Sequence, residues 1–168
     1  MNTDIFSKKR EKKMYLKKKL DLKEKYNPLW LIKLTNKDII KDLRDGLLNL
    51  DVWFVIEVDW VENEKIWDNI VVVSSIDESD LLWFDFIVCD NDMENIDVYI
   101  KSGVVPIINR DNHLSSIFKE FNPIKNEWNS FFYELSNKWL IFATIIKYTE
   151  NYKFPFDNKN LVKNLVEV

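Results

Sequence analysis

Residues 84–114, FDFIVCDNDMENIDVYIKSGVVPIINRDNHL, decide the fold of this chain. The apolar run at 85–89 predicts a buried strand, residues 94–102 a short helix, Gly103 a turn, and residues 104–109 a second buried strand. A further helix is expected to open near Asn112 and to run through Leu114, Ile117 and Phe118. Both strand runs are apolar on successive residues and rich in β-branched side chains, the pattern of parallel strands covered on both faces. The segment therefore reads as one β-α-β unit. Ligands of such sheets lie outside the carboxyl ends of the strands, which places an expected site at residues 90–93 and 109–113.

The same alternation extends in both directions. Residues 6–25 predict a helix whose apolar stripe (Met14, Leu16, Leu20, Leu22) is narrow, so it is expected to pack lightly at an edge. Asn27 and Pro28 end it. Residues 29–34 predict a strand, and Thr35 or Asn36 can cap a helix over 37–48 with Ile39, Ile40, Leu43 and Leu47 on one face. Strands are expected at 51–58 and 70–73, and Asp77, Glu78 and Asp80 suit the first turn of a short helix ahead of Trp83. Beyond the central unit, residues 131–133 predict an edge strand. Ser136 caps a helix over 137–152, Pro155 ends the following link, and residues 160–166 start a last helix. The fold class expected is α/β: a single doubly wound, mostly parallel sheet with helices on both faces, Rossmann-like. The expected organisation is a basic linker helix at 1–27 followed by the α/β domain at 28–168.

Composition narrows the functions. With 46% hydrophobic and 31% charged residues the chain is an ordinary globular one, and its 14% aromatic content suits a heavily packed interior. The most apolar helical segment, residues 139–148, is too short to span a bilayer, so no membrane partner is expected. The amino terminus lacks the apolar core of a secretory signal, and Cys89 has no second cysteine to pair with, which together predict a cytoplasmic protein. Cys89 itself reads as a small buried apolar residue. Residues 1–25 hold ten Lys or Arg against four Asp or Glu, a net of +6, which leaves −10 for the remainder of a chain whose total is −4. A body of that charge repels polyanions, so no nucleic-acid partner is expected. The chain has only two glycines, Gly46 and Gly103, where average usage would give about a dozen. A glycine-rich phosphate loop is therefore absent, although close approach of backbone to phosphate normally needs one.

Few catalytic constellations can be assembled. His113 is the only histidine, which rules out a histidine metal cluster or a Ser-His-Asp triad. The acids at 77–80 and at 90–94 (Asp90, Asp92, Glu94) are explained by a helix start and a solvated loop, so no metal or other cofactor is expected. Of the seven tryptophans, Trp53, Trp83 and Trp139 lie in apolar periodic segments and are expected in the core; Trp60, Trp67 and Trp128 fall at element ends.

In this order of elements the chain resembles the carboxyl-terminal, nucleotide-sugar-binding half of bacterial glycogen and starch synthases, one half of a GT-B glycosyltransferase. KREKKMYLKKKLDL (9–22) is similar to the family's linker helix, LIKLTNKDIIKDL (31–43) to its first strand, loop and helix, and IDESDLLWFDFIVCD (76–90) to the helix and strand before its active loop. SGVVPIINRDNHLSSI (102–117), FFYELSNKWLIFATIIKY (131–148) and LVKNLV (161–166) continue the match in register. The resemblance implies ADP-glucose or ADP as ligand, glucan biosynthesis as activity, and a separate acceptor-domain protein or a homo-oligomer as partner. It places Lys33 and Lys37 at the cationic positions that contact the diphosphate, and Asn112, His113 and Leu114 at the turn whose backbone approaches the phosphates.

The departures are as informative. The family's two glycines at that turn stand here as Asn112 and His113, which put two Cβ atoms into the approach, and Asp111 adds negative charge beside it. The loop between Asp90 and Glu94 is about four residues shorter than the family's, and the glutamate that contacts the transferred sugar has no counterpart. A second glycine turn is replaced by Asn129, Ser130 and Phe131. Hexosyl transfer also needs an acceptor half across a water-excluding cleft. Two readings follow: a donor-binding half of a glucosyltransferase, inactive as an isolated chain, or a non-catalytic α/β protein-interaction domain that has lost the nucleotide-sugar site.

Overall fold

A computed structural model describes residues 3–22, 28–58, 64–90, 95–122, 124–125, 127–134 and 137–168, with the side chains of residues 3–4 and 64–67 left aside. Among these residues the chain forms a seven-stranded sheet in the order β3-β4-β2-β1-β5-β6-β7. The strands are β1 (Leu29–Lys33), β2 (Trp53–Glu57), β3 (Glu64–Trp67), β4 (Ile70–Val73), β5 (Phe86–Cys89), β6 (Val105–Asn109) and β7 (Phe131–Tyr133). Six run parallel, and β3 alone is antiparallel, to β4. The chain winds outward from β1 to β2 and β4, then crosses back to lay β5 on the other side of β1, with Trp30 opposite Phe86 and Leu31 opposite Ile87. The point of reversal is the gap between β1 and β5, the place where an open α/β sheet offers a crevice.

Helices α1 (Thr3–Lys19), α2 (Lys37–Leu47), α3 (Ile96–Lys101), α4 (Lys138–Tyr152) and α5 (Pro155–Val166) cover both faces. Alternate strand residues point to opposite faces, which sorts β1 into two cores. Trp30 and Ile32 pack with Leu43 and Leu47 of α2, Ile145 and Tyr148 of α4, and Leu161 and Leu165 of α5. Leu29 and Leu31 pack with Leu16, Leu22, Trp83 and Tyr99 on the other side. Trp30 anchors the first core against Phe86 at 4.7 Å and edge-on to Tyr148 at 5.5 Å.

The doubly wound sheet, the β-α-β unit and its turn are as the sequence predicts. Gly103 sits at φ +61° between α3 and β6, and a Cβ there would come within 2.9 Å of Val162 Cγ1, so both conformation and space require glycine.

Several local expectations change. The helix expected through Phe118 is one 3-10 turn, His113–Ser116, which Asn112 opens by accepting from the Leu114 N–H; after it the chain leaves the helix as Phe118 turns into the core. Strand β3 was not expected from the sequence. It and β4 form a hairpin across Asp68-Asn69, where the buried Asn69 amide also donates to the carbonyls of Leu47, Leu50 and Val52 at 3.0–3.1 Å. Pro155 opens α5 rather than ending a link, as a first-turn position that needs no N–H. Asn137, not Ser136, caps α4 by accepting from the Trp139 N–H; Ser136 lies outside the described residues. Trp139, expected in the core, is 58% exposed, whereas Trp128 is buried. Trp60, Asp92 and Glu94 lie outside the described residues, as does most of the 90–94 loop.

Helix α1 departs furthest from expectation. It does not lie loosely at an edge: Leu16 is buried in the second core, and Lys9 and Lys13 carry their stems inward to polar partners at the amino ends of β5 and β6.

Candidate functional site

The carboxyl ends of β1, β5 and β6 place the expected nucleotide-sugar residues on one edge of the sheet. Lys33 ends β1, Lys37 opens α2, and residues 112–114 follow β6, two strand spacings or about 10 Å away. The chain brings these positions together but commits the side chains of Lys33 and Asn112 to other partners. Lys33 Nζ lies 3.1 Å from Glu57 Oε1 at the end of β2, so its charge is neutralised across the strand pair. Asn112 is buried and spends its carbonyl oxygen on the turn that it caps. Leu114 is 4% exposed and belongs to the core, while His113 and Lys37 are exposed.

The crevice at the reversal point is bridged directly. Asp90, the residue after β5, accepts from both the Thr35 backbone N–H at 2.9 Å and the Thr35 hydroxyl at 2.8 Å, from the loop after β1. The Thr35 N–H, a backbone donor that could meet a phosphate in such a crevice, therefore meets a carboxylate already in the chain. Beside it, Tyr133 at the end of β7 reaches over β6 to donate its hydroxyl to the Cys89 carbonyl at 2.6 Å. Burial pushes the Tyr133 phenol well above its usual range, with the nearby Cys89 and Asp90 adding to the shift, so it stays a neutral donor. Cys89 is buried in the same place, and desolvation pushes its thiol up to about 12, which leaves no reactive thiolate.

Electrostatics point the same way. Glu57 Oε2 and Asp90 Oδ1 are buried and accept no hydrogen bond among the described residues. Arg110, after β6, is held by Glu120 at 2.7 Å, a charge-assisted bond that raises its pKa further. The mouth thus carries unsatisfied carboxylate oxygens next to cations already paired, the reverse of what a sugar diphosphate needs. Among the described residues no group of three metal-ligating side chains could hold an ion. None of the helices there is long and apolar enough to cross a membrane.

Sequence reasoning could not have found the closing contacts. Thr35 and Asp90 are 55 residues apart, Tyr133 and Cys89 44 apart. The one available signal was an acid directly after a buried strand at the reversal point, and in isolation that signal reads equally as a ligand-binding residue.

No family model matches the sequence, and no curated protein matches it in sequence. Solved structures do match its fold. The catalytic domain of starch synthase IV from Arabidopsis thaliana, bound to ADP and acarbose, superposes with a TM-score of 0.74 at 16% identity over 95% of this chain. The glycosyltransferase VinC in complex with dTDP gives 0.58 at 14% identity over 88% of the chain, and the glycosyltransferase SnogD from Streptomyces nogalater 0.54 at 13% over 87%. This chain spans 39%, 41% and 42% of those proteins, respectively. The fold is therefore that of one half of these two-domain glycosyltransferases.

Proposed function

We propose that this chain is a non-catalytic α/β association domain that keeps the fold of the nucleotide-sugar-binding half of a glycosyltransferase. One observation carries the reading: the crevice between β1 and β5 is closed by Thr35 on Asp90, with Tyr133 seated on the neighbouring strand end. A diphosphate would have to break those bonds and then face the carboxylates of Glu57 and Asp90. The chain also offers a surface suited to association. At the carboxyl end of the sheet Trp139 and Leu140 stand 58% and 41% exposed on the first turn of α4, beside a groove of about 240 Å³ lined by Arg110, Phe132, Glu134 and Lys147. Exposed aromatic anchors ringed by charge are what interface cores use.

Titration of the purified chain with ADP and ADP-glucose, followed by amide NMR shifts, tests the reading. No saturable shift at millimolar ligand is expected. Saturable shifts at residues 33–37 and 112–114 would instead support the second reading, a donor-binding half that works with a separate acceptor chain. The placement of Lys33 and Lys37 beside one strand end and the likeness to a starch synthase bound to ADP favour that alternative.

A further inference from the structure

At the pole opposite the Thr35–Asp90 bridge, the amino ends of the strands are open and basic. A cleft of about 770 Å³ lies between α1 and the amino ends of β5 and β6, with Tyr152 and Val162 as its far wall. Its volume is that of a small-molecule site. Lys9, Arg10, Lys13, Lys17 and Lys18 line it, against Asp21 and Asp85. Asp85 is already engaged, by Lys13 on one oxygen and by the Leu29 N–H at 3.0 Å on the other. Lys9 is 5% exposed and donates to the Gly103 carbonyl, with no carboxylate bonded to it among the described residues, so its amine sits in the wall where an anion would favour its charged form. Among the described residues Arg10 and Lys18 form no ion pair, and both are exposed.

We propose that this cleft binds a small organic molecule bearing several phosphate groups. The cations Arg10, Lys13 and Lys17 recur at three- and four-residue steps on one face of α1 and span about 10 Å, with Lys13 shared with Asp85 and the exposed Arg10 and Lys18 outside any ion pair among the described residues. That spacing matches charge spread along a polyphosphate better than a single carboxylate. The cleft is bounded on both sides, and the rest of the chain carries −10, which disfavours a long polyanion. Phe6 and Met14, 37% and 56% exposed at its edge, receive the uncharged part of the ligand. The site lies at the opposite pole from Lys33 and Lys37 and does not rest on the reading of that pole.

Inorganic tripolyphosphate is the probe. Calorimetric titration of the full chain in phosphate-free buffer is expected to give one saturable site with a dissociation constant below about 1 mM. Amide shifts should fall at residues 10–18 and at Gly103. The double variant Arg10→Ser, Lys18→Ser changes only exposed side chains and should weaken binding at least about tenfold, while Lys33→Ser, Lys37→Ser leaves it unchanged. Absence of saturable binding, equal weakening by both pairs, or loss of all binding at about 0.15 M salt, the behaviour of a diffuse counterion, would each overturn the assignment. ADP shifts confined to residues 33–37 would refute the closed-crevice reading and leave this one standing.

Discussion

Replacing Lys9 by methionine should make the chain's stability lose its rise between neutral and mildly alkaline pH. Burial pulls the Lys9 ammonium down from the ordinary 10.5 to about 7; the facing Asp85 carboxylate partly offsets this, and Lys13 on the same helix adds to it. Between those two values the unfolded chain binds a proton at Lys9 that the folded chain has released. Unfolding free energy therefore increases with pH in that window, by about 1.4 kcal/mol per unit once pH is above 7. Near pH 9 the trend reverses. Cys89 is pushed up to about 12 and Tyr99 also to about 12, both chiefly by burial, so the folded chain retains protons that the unfolded chain loses. For Lys13, burial alone would lower the pKa, but Asp85 and Tyr152 reverse that and the net shift is upward; its contribution is lost only above 10.5. From pH 7.0 to 8.5 the net expectation is a gain of about 1 to 2 kcal/mol, with a maximum near pH 9. Urea unfolding followed by tryptophan fluorescence at pH 7.0, 8.0 and 8.5 in phosphate-free buffer reads this directly. In Lys9→Met the rise disappears. At pH 7 the variant is at least as stable as the parent, since relief of about 4 kcal/mol exceeds the roughly 1–3 kcal/mol of leaving the Gly103 carbonyl without its donor. A parent whose midpoint is flat or falls over that range, or a variant that keeps the rise, would refute the account of α1 as a helix with a buried ammonium.

Three further substitutions probe the two poles. Tyr133→Phe deletes the hydroxyl that reaches the buried Cys89 carbonyl and should cost about 1–3 kcal/mol in urea unfolding, without creating ADP binding. Asp85→Ala leaves Lys13 buried without its counter-charge and the Leu29 N–H without its acceptor, and should lower stability by about 3–5 kcal/mol, read as a lower thermal midpoint. Gly103→Ala places a Cβ against Val162 at positive φ; a loss of about 1–3 kcal/mol is expected, and a neutral result would mean that the turn is not the one described.

The sheet was legible in the sequence because each of its parallel strands is a short, continuous apolar run with a turn or cap signal beside it. Asn36 and Gly103 are such signals, and both do what their chemistry dictates. Strand β3 escaped because Glu64–Trp67 has one apolar pair and no alternation of useful length, although Asp68-Asn69 between two runs is a turn signature. Helix α1 packs more closely than its apolar stripe alone predicts, because Lys9 and Lys13 bury their stems as well.

What the sequence determined by itself was the winding: crossovers, strand ends, and hence where Lys33, Lys37 and residues 112–114 would converge. What only the tertiary structure decided was the fate of those ends. Hydrophobic period and capping act over a few residues. The bonds of Thr35 to Asp90, Tyr133 to Cys89 and Lys9 to Gly103 instead join residues 44 to 94 positions apart, which become neighbours only after strand order is set. Strand order put a carboxylate in the crevice at one pole and the lysines of α1 around a cavity at the other.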